Sequence, residues 1–245
     1  MPAVTTEIRG AISIIRINRP ERLNAINQAV AVEMQQAFQA FDADPNQRVA
    51  ILSGVGEKAF CSGADVSDLP ELWRAIPNIG FKTDKPIVAA TTGWVIGGAI
   101  VMVMMCDLMV STENTTFYYP EAKLGTTAGG ISTLATRMPH KLAMEIMLLG
   151  SKIPAQRAYD VGFVNRVVPN GQHEAAALEM AEQLLDSAPL VIGALKKLVA
   201  DIMPVGPIEH MVETAQVLAR VKQSEDLKEG IQAFKDKRKP IFRGR

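Results

Sequence analysis

Gly93-Trp94-Val95-Ile96-Gly97-Gly98-Ala99 decides how this chain reads. It follows an apolar segment, Pro86 to Ala90, that reads as a strand. It opens a very apolar helix reaching Cys106, after which Asp107 to Ser111 returns to a strand. Strand, glycine turn, helix and strand in succession make the unit of an α/β protein. Free N–H groups at a helix N-terminus carry roughly half a positive charge, and glycine at the entry lets an oxygen come close to them. A Gly-Gly pair there also suits plain helix–strand packing.

Working outward, residues 4–9 and 11–17 read as two short strands joined at Gly10 and stopped by Asn18-Arg19-Pro20. Asn27 is an N-cap, and 28–41 carries Val30, Met34, Ala37, Phe38 and Phe41 at helical spacing, ended by Asp44-Pro45. Arg48 to Leu52 reads as a strand and Ser53-Gly54-Val55-Gly56 as a turn. From about 140 helical patterns dominate, with one strand near Phe163–Val168 and helices at about 172–186, 190–201, 208–222 and 225–236. The expected architecture is an α/β core, 1–188, followed by a helical domain, 189–245, with the boundary at Ser187-Ala188-Pro189.

The chain has 245 residues, 26 Lys+Arg against 26 Asp+Glu, and 48% hydrophobic residues. At about 150 residues per domain this suits one compact domain with an appendage, long enough to bury a core without disulfide staples. Zero net charge argues against a protein built around nucleic-acid phosphates. The apolar content argues against disorder. Cys61 and Cys106 are far apart and neither belongs to a C-x-x-C pair, which argues against a disulfide scaffold and a cysteine zinc site. MPAVTTEIRG has no basic start followed by an apolar run, and Val95 to Cys106 is too short to span a bilayer. A cytoplasmic location without membrane contact is expected.

Gly54-Val55-Gly56-Glu57-Lys58-Ala59 matches G-x-G-x-x-A, but Phe60-Cys61-Ser62-Gly63 does not open a helix, so it reads as a turn and not as a pyrophosphate site. His140, His173 and His210 stand apart in the sequence and read as surface or packing residues. The basic stretch from Lys222 reads as a solvated helix face. Two further segments invite a chemical reading. In Ala59-Phe60-Cys61-Ser62-Gly63-Ala64-Asp65-Val66, small residues leave backbone N–H groups uncovered and able to donate to an oxygen that gains charge. In Phe117-Tyr118-Tyr119-Pro120-Glu121, a lone carboxylate sits among apolar and aromatic residues, which raise a carboxylate's pKa and suit it to proton transfer.

These three segments, in this order and spacing, resemble the crotonase superfamily (enoyl-CoA hydratases and isomerases). Asn18-Arg19-Pro20-Glu21-Arg22-Leu23-Asn24-Ala25 resembles its N-terminal CoA-contact segment, and Ala59 to Val66 and Gly93 to Asp107 its two oxyanion-hole segments. Pro120-Glu121 resembles its catalytic-glutamate segment, Tyr159 to Asn165 its A-x-x-x-G-L-V run, and Lys228 to Phe242 its C-terminal E-G-x-x-A-F-x-x-K-R-x-P. The resemblance implies a spiral of repeated ββα units with a C-terminal helical domain serving trimerisation and active-site cover. It implies trimers or dimers of trimers, and an acyl-CoA thioester substrate from fatty acid metabolism, with no metal and no cofactor beyond the substrate's own coenzyme A. It also implies that the N–H groups of Ala64 and Gly98 hold the thioester oxygen and that Glu121 is the acid/base. Coenzyme A and acyl contacts would come from Arg22, Leu23, Ala25, Ser62, Ala64, Asp65, Val66, Gly97, Gly98 and Pro120.

The chain departs from the hydratase pattern at one position. Those enzymes resemble one another in a second glutamate three residues beyond the second oxyanion glycine, and counting from Gly98 gives Val101. One carboxylate suffices for a double-bond shift, as in the family's 3,2-enoyl-CoA isomerases, so the residues favour isomerisation. Hydration would need an unrecognised second group, for which Asp65, Asp68 and Glu71 are candidates, Asp65 also reading as a loop brace. Thr126-Thr127-Ala128 differs from the usual I-P-G-A, and Trp73, Trp94, Tyr118 and Tyr119 either wall an acyl pocket or pack. A non-catalytic thioester-binding or RNA-binding member is the alternative of another class, kept open by the basic C-terminal stretch although neutral charge argues against nucleic acid.

Overall fold

β1 (Val4–Arg9) and β2 (Ile12–Ile17) pair antiparallel across the turn at Gly10, from Val4 opposite Ile17 to Arg9 opposite Ile12. The computed structural model describes residues 1–127, 129–206, 210, 212–214, 218–219, 221 and 223–245. α1 (Gln28–Ala43) starts where the Asn27 side chain accepts from the Val30 N–H, a cap worth about 1 kcal/mol. Val30, Met34, Phe38 and Phe41 are buried along its inner face, and Phe38 stacks on Phe81 with ring centroids 4.2 Å apart.

The chain then winds. β3 (Val49–Gly54) joins one sheet and β4 (Ala59–Cys61) another. β5 (Ile87–Thr91) and β6 (Trp94–Ile96) repeat the move and lead into α2 (Gly98–Met104). β7 (Leu108–Thr112) and β8 (Thr116–Tyr118) repeat it again and lead into α3 (Glu121–Leu124). Each turn adds one parallel strand to each sheet, so the structure is a spiral. After α4 (His140–Met144), β9 (Ile153–Pro154), α5 (Ala155–Asp160) and β10 (Arg166–Val168), the sheet orders are β1-β2-β3-β5-β7-β10 and β4-β6-β8-β9. The strands of the second sheet are two or three residues long, too short to show an alternation in the sequence.

α6 (His173–Leu185) covers one face of the larger sheet. Ala176, Ala177 and Ala181 pack on Ile12, Ile14, Val49, Ile51, Val88, Ala90 and Val110, and the small alanines allow close approach. α7 (Pro189–Ile202) follows. The chain divides into two compact units, Met1–Pro204 and Val205–Arg245, so the boundary falls after α7 and not at the expected 188/189. The reason is that α7 is bound to the first unit: Lys196 Nζ donates to Lys85 O (2.6 Å) and Asp107 Oδ2 (2.8 Å). In the second unit α8 (Glu225–Lys235) is capped by Ser224. Glu229 clasps Arg238 with both oxygens (2.6 and 2.9 Å) and accepts from the Ile241 N–H, which folds the last residues back along α8. The helix expected at about 208–222 lies largely outside the described residues. Among the described residues no helix is long and apolar enough to cross a membrane.

Candidate active site

Parallel pairing brings the C-terminal ends of β4, β6 and β8 side by side. β6 pairs with β4, and Ile96 stands opposite Tyr118 of β8. The segments that leave these strands are Ser62–Asp65, Gly97-Gly98 and Tyr119–Glu121, the three that carried chemistry in the sequence. The Gly97 N–H donates to Tyr118 O (2.9 Å), tying the second to the third. Gly63 has φ +90°, and a β-carbon there would lie 2.9 Å from Ile96 O and 3.7 Å from Gly98 N, so the first two segments touch. Only glycine allows that approach.

Two backbone donors result. The Ile26 N–H donates to Gly63 O and the Asp65 N–H to Ile26 O, both at 2.8 Å, which bypasses Ala64 and leaves its N–H without an acceptor among the described residues. Gly98 is the first residue of α2, where an N–H has no partner within the helix. Both residues are partly exposed. Gly98 meets Leu72 from the segment 72–75, whose Cδ2 would lie 2.5 Å from a β-carbon at Gly98.

Glu121 completes the group. Its Oε1 would lie 2.5 Å from a β-carbon at Gly97, a residue with φ +60°, so the carboxylate is seated against the Gly97-Gly98 segment. Its Oε2 is buried with no hydrogen-bond partner. Burial pushes the carboxyl up to about 7, against a smaller lowering by its own backbone N–H. A carboxyl near neutrality can both take and give a proton. Val101, one turn beyond Gly98 on α2, is buried at 5% exposure. Cys61, just before the first segment, is no nucleophile, because burial pushes its thiol up to about 12.

The structure gathers the other expected residues on the first segment. Ser62 N–H donates to Leu23 O (3.0 Å), Ala25 N–H to Arg22 O (3.0 Å), and Arg22, Leu23 and Val66 are exposed. Pro120 is half-buried beside Glu121. Asp65 is a brace: it accepts from the Ser67 hydroxyl (2.6 Å) and from both terminal nitrogens of Arg19 (3.1 Å), and these bonds hold its carboxyl below the usual range. Glu71 is likewise held low by Arg74 and then Gln28. Neither is poised to donate a proton at neutral pH.

Three residues gain an individual role only from the structure. Asn24 is fully buried, and its Nδ2 donates to Val55 O and Ala59 O, pinning the 19–25 turn to β4. Gly63 sets the close approach, and Leu72 covers Gly98. The N-A pair hints at Asn24, but nothing local marks Leu72, whose role arises only from tertiary contact. Trp94 and Tyr118 pack at 6.3 Å beneath Lys152, Trp73 stacks under Arg74, and the Tyr119 hydroxyl bonds Thr127. Ala128 lies outside the described residues.

Two backbone amides on touching segments, without acceptors among the described residues, and a carboxyl of neutral range seated against one of them are the groups that could stabilise a carbonyl oxygen while a proton moves nearby. Residues 7–245 match the enoyl-CoA hydratase/isomerase family. The carnitinyl-CoA dehydratase of Salmonella typhi is 36% identical over 252 residues, 96% of each chain. The structures of an enoyl-CoA hydratase from Mycobacterium tuberculosis H37Rv and a carnitinyl-CoA hydratase from Mycobacterium avium align over 100% of both chains with TM-scores of 0.78, at 34% and 33% identity. The chain belongs to the enoyl-CoA hydratase/isomerase family of the crotonase superfamily, and it has the crotonase fold.

Proposed function

We propose that this protein shifts the double bond of an enoyl-CoA thioester between the 3 and 2 positions, with Glu121 as its single acid/base. The thioester oxygen accepts from the Ala64 and Gly98 N–H groups. Glu121 takes a proton from C2 of a 3-enoyl thioester, the negative charge spreads onto the oxygen as an enolate, and the same carboxyl returns the proton to C4. Coenzyme A lies along Arg22, Leu23, Ala25 and Ser62 to Val66, and no metal or further cofactor takes part. The observation that carries this reading is that, among the described residues, Glu121 is the carboxyl seated against Gly97: Val101 is apolar, Asp65 and Glu71 are engaged by Arg19 and Arg74, and Asp68 is exposed.

A second reading, hydration or dehydration, is favoured by the names of the relatives, which are hydratases and dehydratases. It requires Glu121 to manage both the water and the α-carbon proton. A mass-spectrometric assay on a matched 3-enoyl- and 2-enoyl-CoA separates the two. Interconversion at unchanged mass is expected, and a product one water heavier would replace isomerisation by hydration. Glu121→Gln is expected to abolish turnover and keep thioester binding. Assembly into trimers or dimers of trimers belongs to the same reading and is checked by light scattering.

A further inference from the structure

Arg137, which follows the 3-10 segment Gly130–Thr136, is half-buried and poorly satisfied. Its Nε is sealed from solvent with no hydrogen-bond partner, and its Nη2 reaches Met105 Sδ at 3.8 Å. Among the described residues it forms no ion pair. A guanidinium stays charged and carries five N–H donors, and a thioether is a weak acceptor. Leaving its buried Nε without an acceptor costs free energy.

Met105 shows where this cation lies. Gly98, Val101 and Met105 follow one another at three- and four-residue intervals, so they share one face of α2 and its C-cap. At the helical rise, Met105 is about 10 Å along the axis from Gly98. The segment 72–78 borders the same strip, with Leu72 against Gly98 and Asn78 Nδ2 3.5 Å from Met105 O. We propose that the acyl chain runs down this strip from the oxyanion amides, and that Arg137 selects acyl groups whose far end carries a carboxylate. A carboxylate matches the guanidinium fork in a bidentate pair, whereas a methyl end of the same length leaves the cation unpaired. The inference rests on the thioester reading of Ala64, Gly98 and Glu121.

The test uses equilibrium binding, so that it does not depend on which reaction is catalysed. Two saturated acyl-CoA thioesters of equal chain length, one ending in a carboxylate and one in a methyl, are titrated into the wild type, Arg137→Met and Arg137→Lys by calorimetry. The carboxylate-ended thioester is expected to bind the wild type at least about tenfold more tightly, as for a hydrogen-bonded charge pair. Arg137→Met is expected to erase that preference while keeping the affinity for the methyl-ended thioester, and Arg137→Lys to keep part of it. Equal affinities in the wild type, or a preference that survives Arg137→Met, would overturn the inference and leave the thioester site standing. Failure of both thioesters to bind would overturn the two together.

Discussion

Burial holds the Glu121 carboxyl at about 7, so near neutrality it is present both as base and as acid. The unfolded chain ionises it near 4.5. Between those values the folded protein keeps a proton that the unfolded chain has lost, so stability falls as pH rises. The penalty is absent below pH 4.5 and complete above about 7. Glu121→Gln is therefore expected to be more stable than the wild type at pH 8, by roughly 1–2 kcal/mol after allowance for partial exposure, and to show no such gain at pH 4.5. Turnover should meanwhile fall at least ~100-fold. Denaturant titrations of both proteins at the two pH values check the first expectation, and a variant no more stable at pH 8 contradicts it. The residue's surroundings were legible, because proline and aromatics flank it in the chain. Its seat against Gly97 was not, because that contact joins two strands.

At the scale of elements, α2 enters the proposed chemistry through its first amide. Gly98→Pro and Gly98→Ala both place a carbon against Leu72, but only proline removes the N–H, and the first helical position tolerates proline. Turnover by the proline variant should fall about 10²–10³-fold below that of the alanine variant, the usual cost of one oxyanion donor. Equal rates in a steady-state assay would remove Gly98 from the hole. α1 was readable because its apolar residues keep helical spacing and Asn27 supplies a cap, and β2 because it is rich in β-branched residues between turn signals. β4, β6 and β8 were not: three residues complete no period, and pairing with neighbours distant in the chain makes them strands.

Over the whole molecule, the docking of α6 on the larger sheet ties the spiral together, and it carries a pH dependence. His173 at its start is only 7% exposed, and burial holds its pKa below the ordinary 6.5, with Glu174 and Glu57 opposing and Arg16 adding. The unfolded chain takes up the proton first as pH falls. The stability due to neutral His173 is thus full above 6.5 and is lost as pH drops below it toward the folded-state value. The wild type should lose more stability than His173→Gln between pH 7.5 and 5.5 in thermal denaturation, and equal losses would show that His173 does not titrate there. As a sequence, His173 read as a surface or packing residue. The fold decides for packing.

The sequence by itself determined the α/β class, the long elements, the three glycine- and carboxylate-bearing segments and the place of Glu121 among apolar and aromatic neighbours, because side-chain period, glycine placement and residue type are local properties. Tertiary structure alone decided that those segments meet. It stacked three short strands in parallel so that their ends lie side by side, left the amides of Ala64 and Gly98 without acceptors among the described residues, engaged Asp65 with Arg19, and raised the pKa of Glu121. Each of these effects depends on groups far apart in the chain, through burial, register and hydrogen-bond competition.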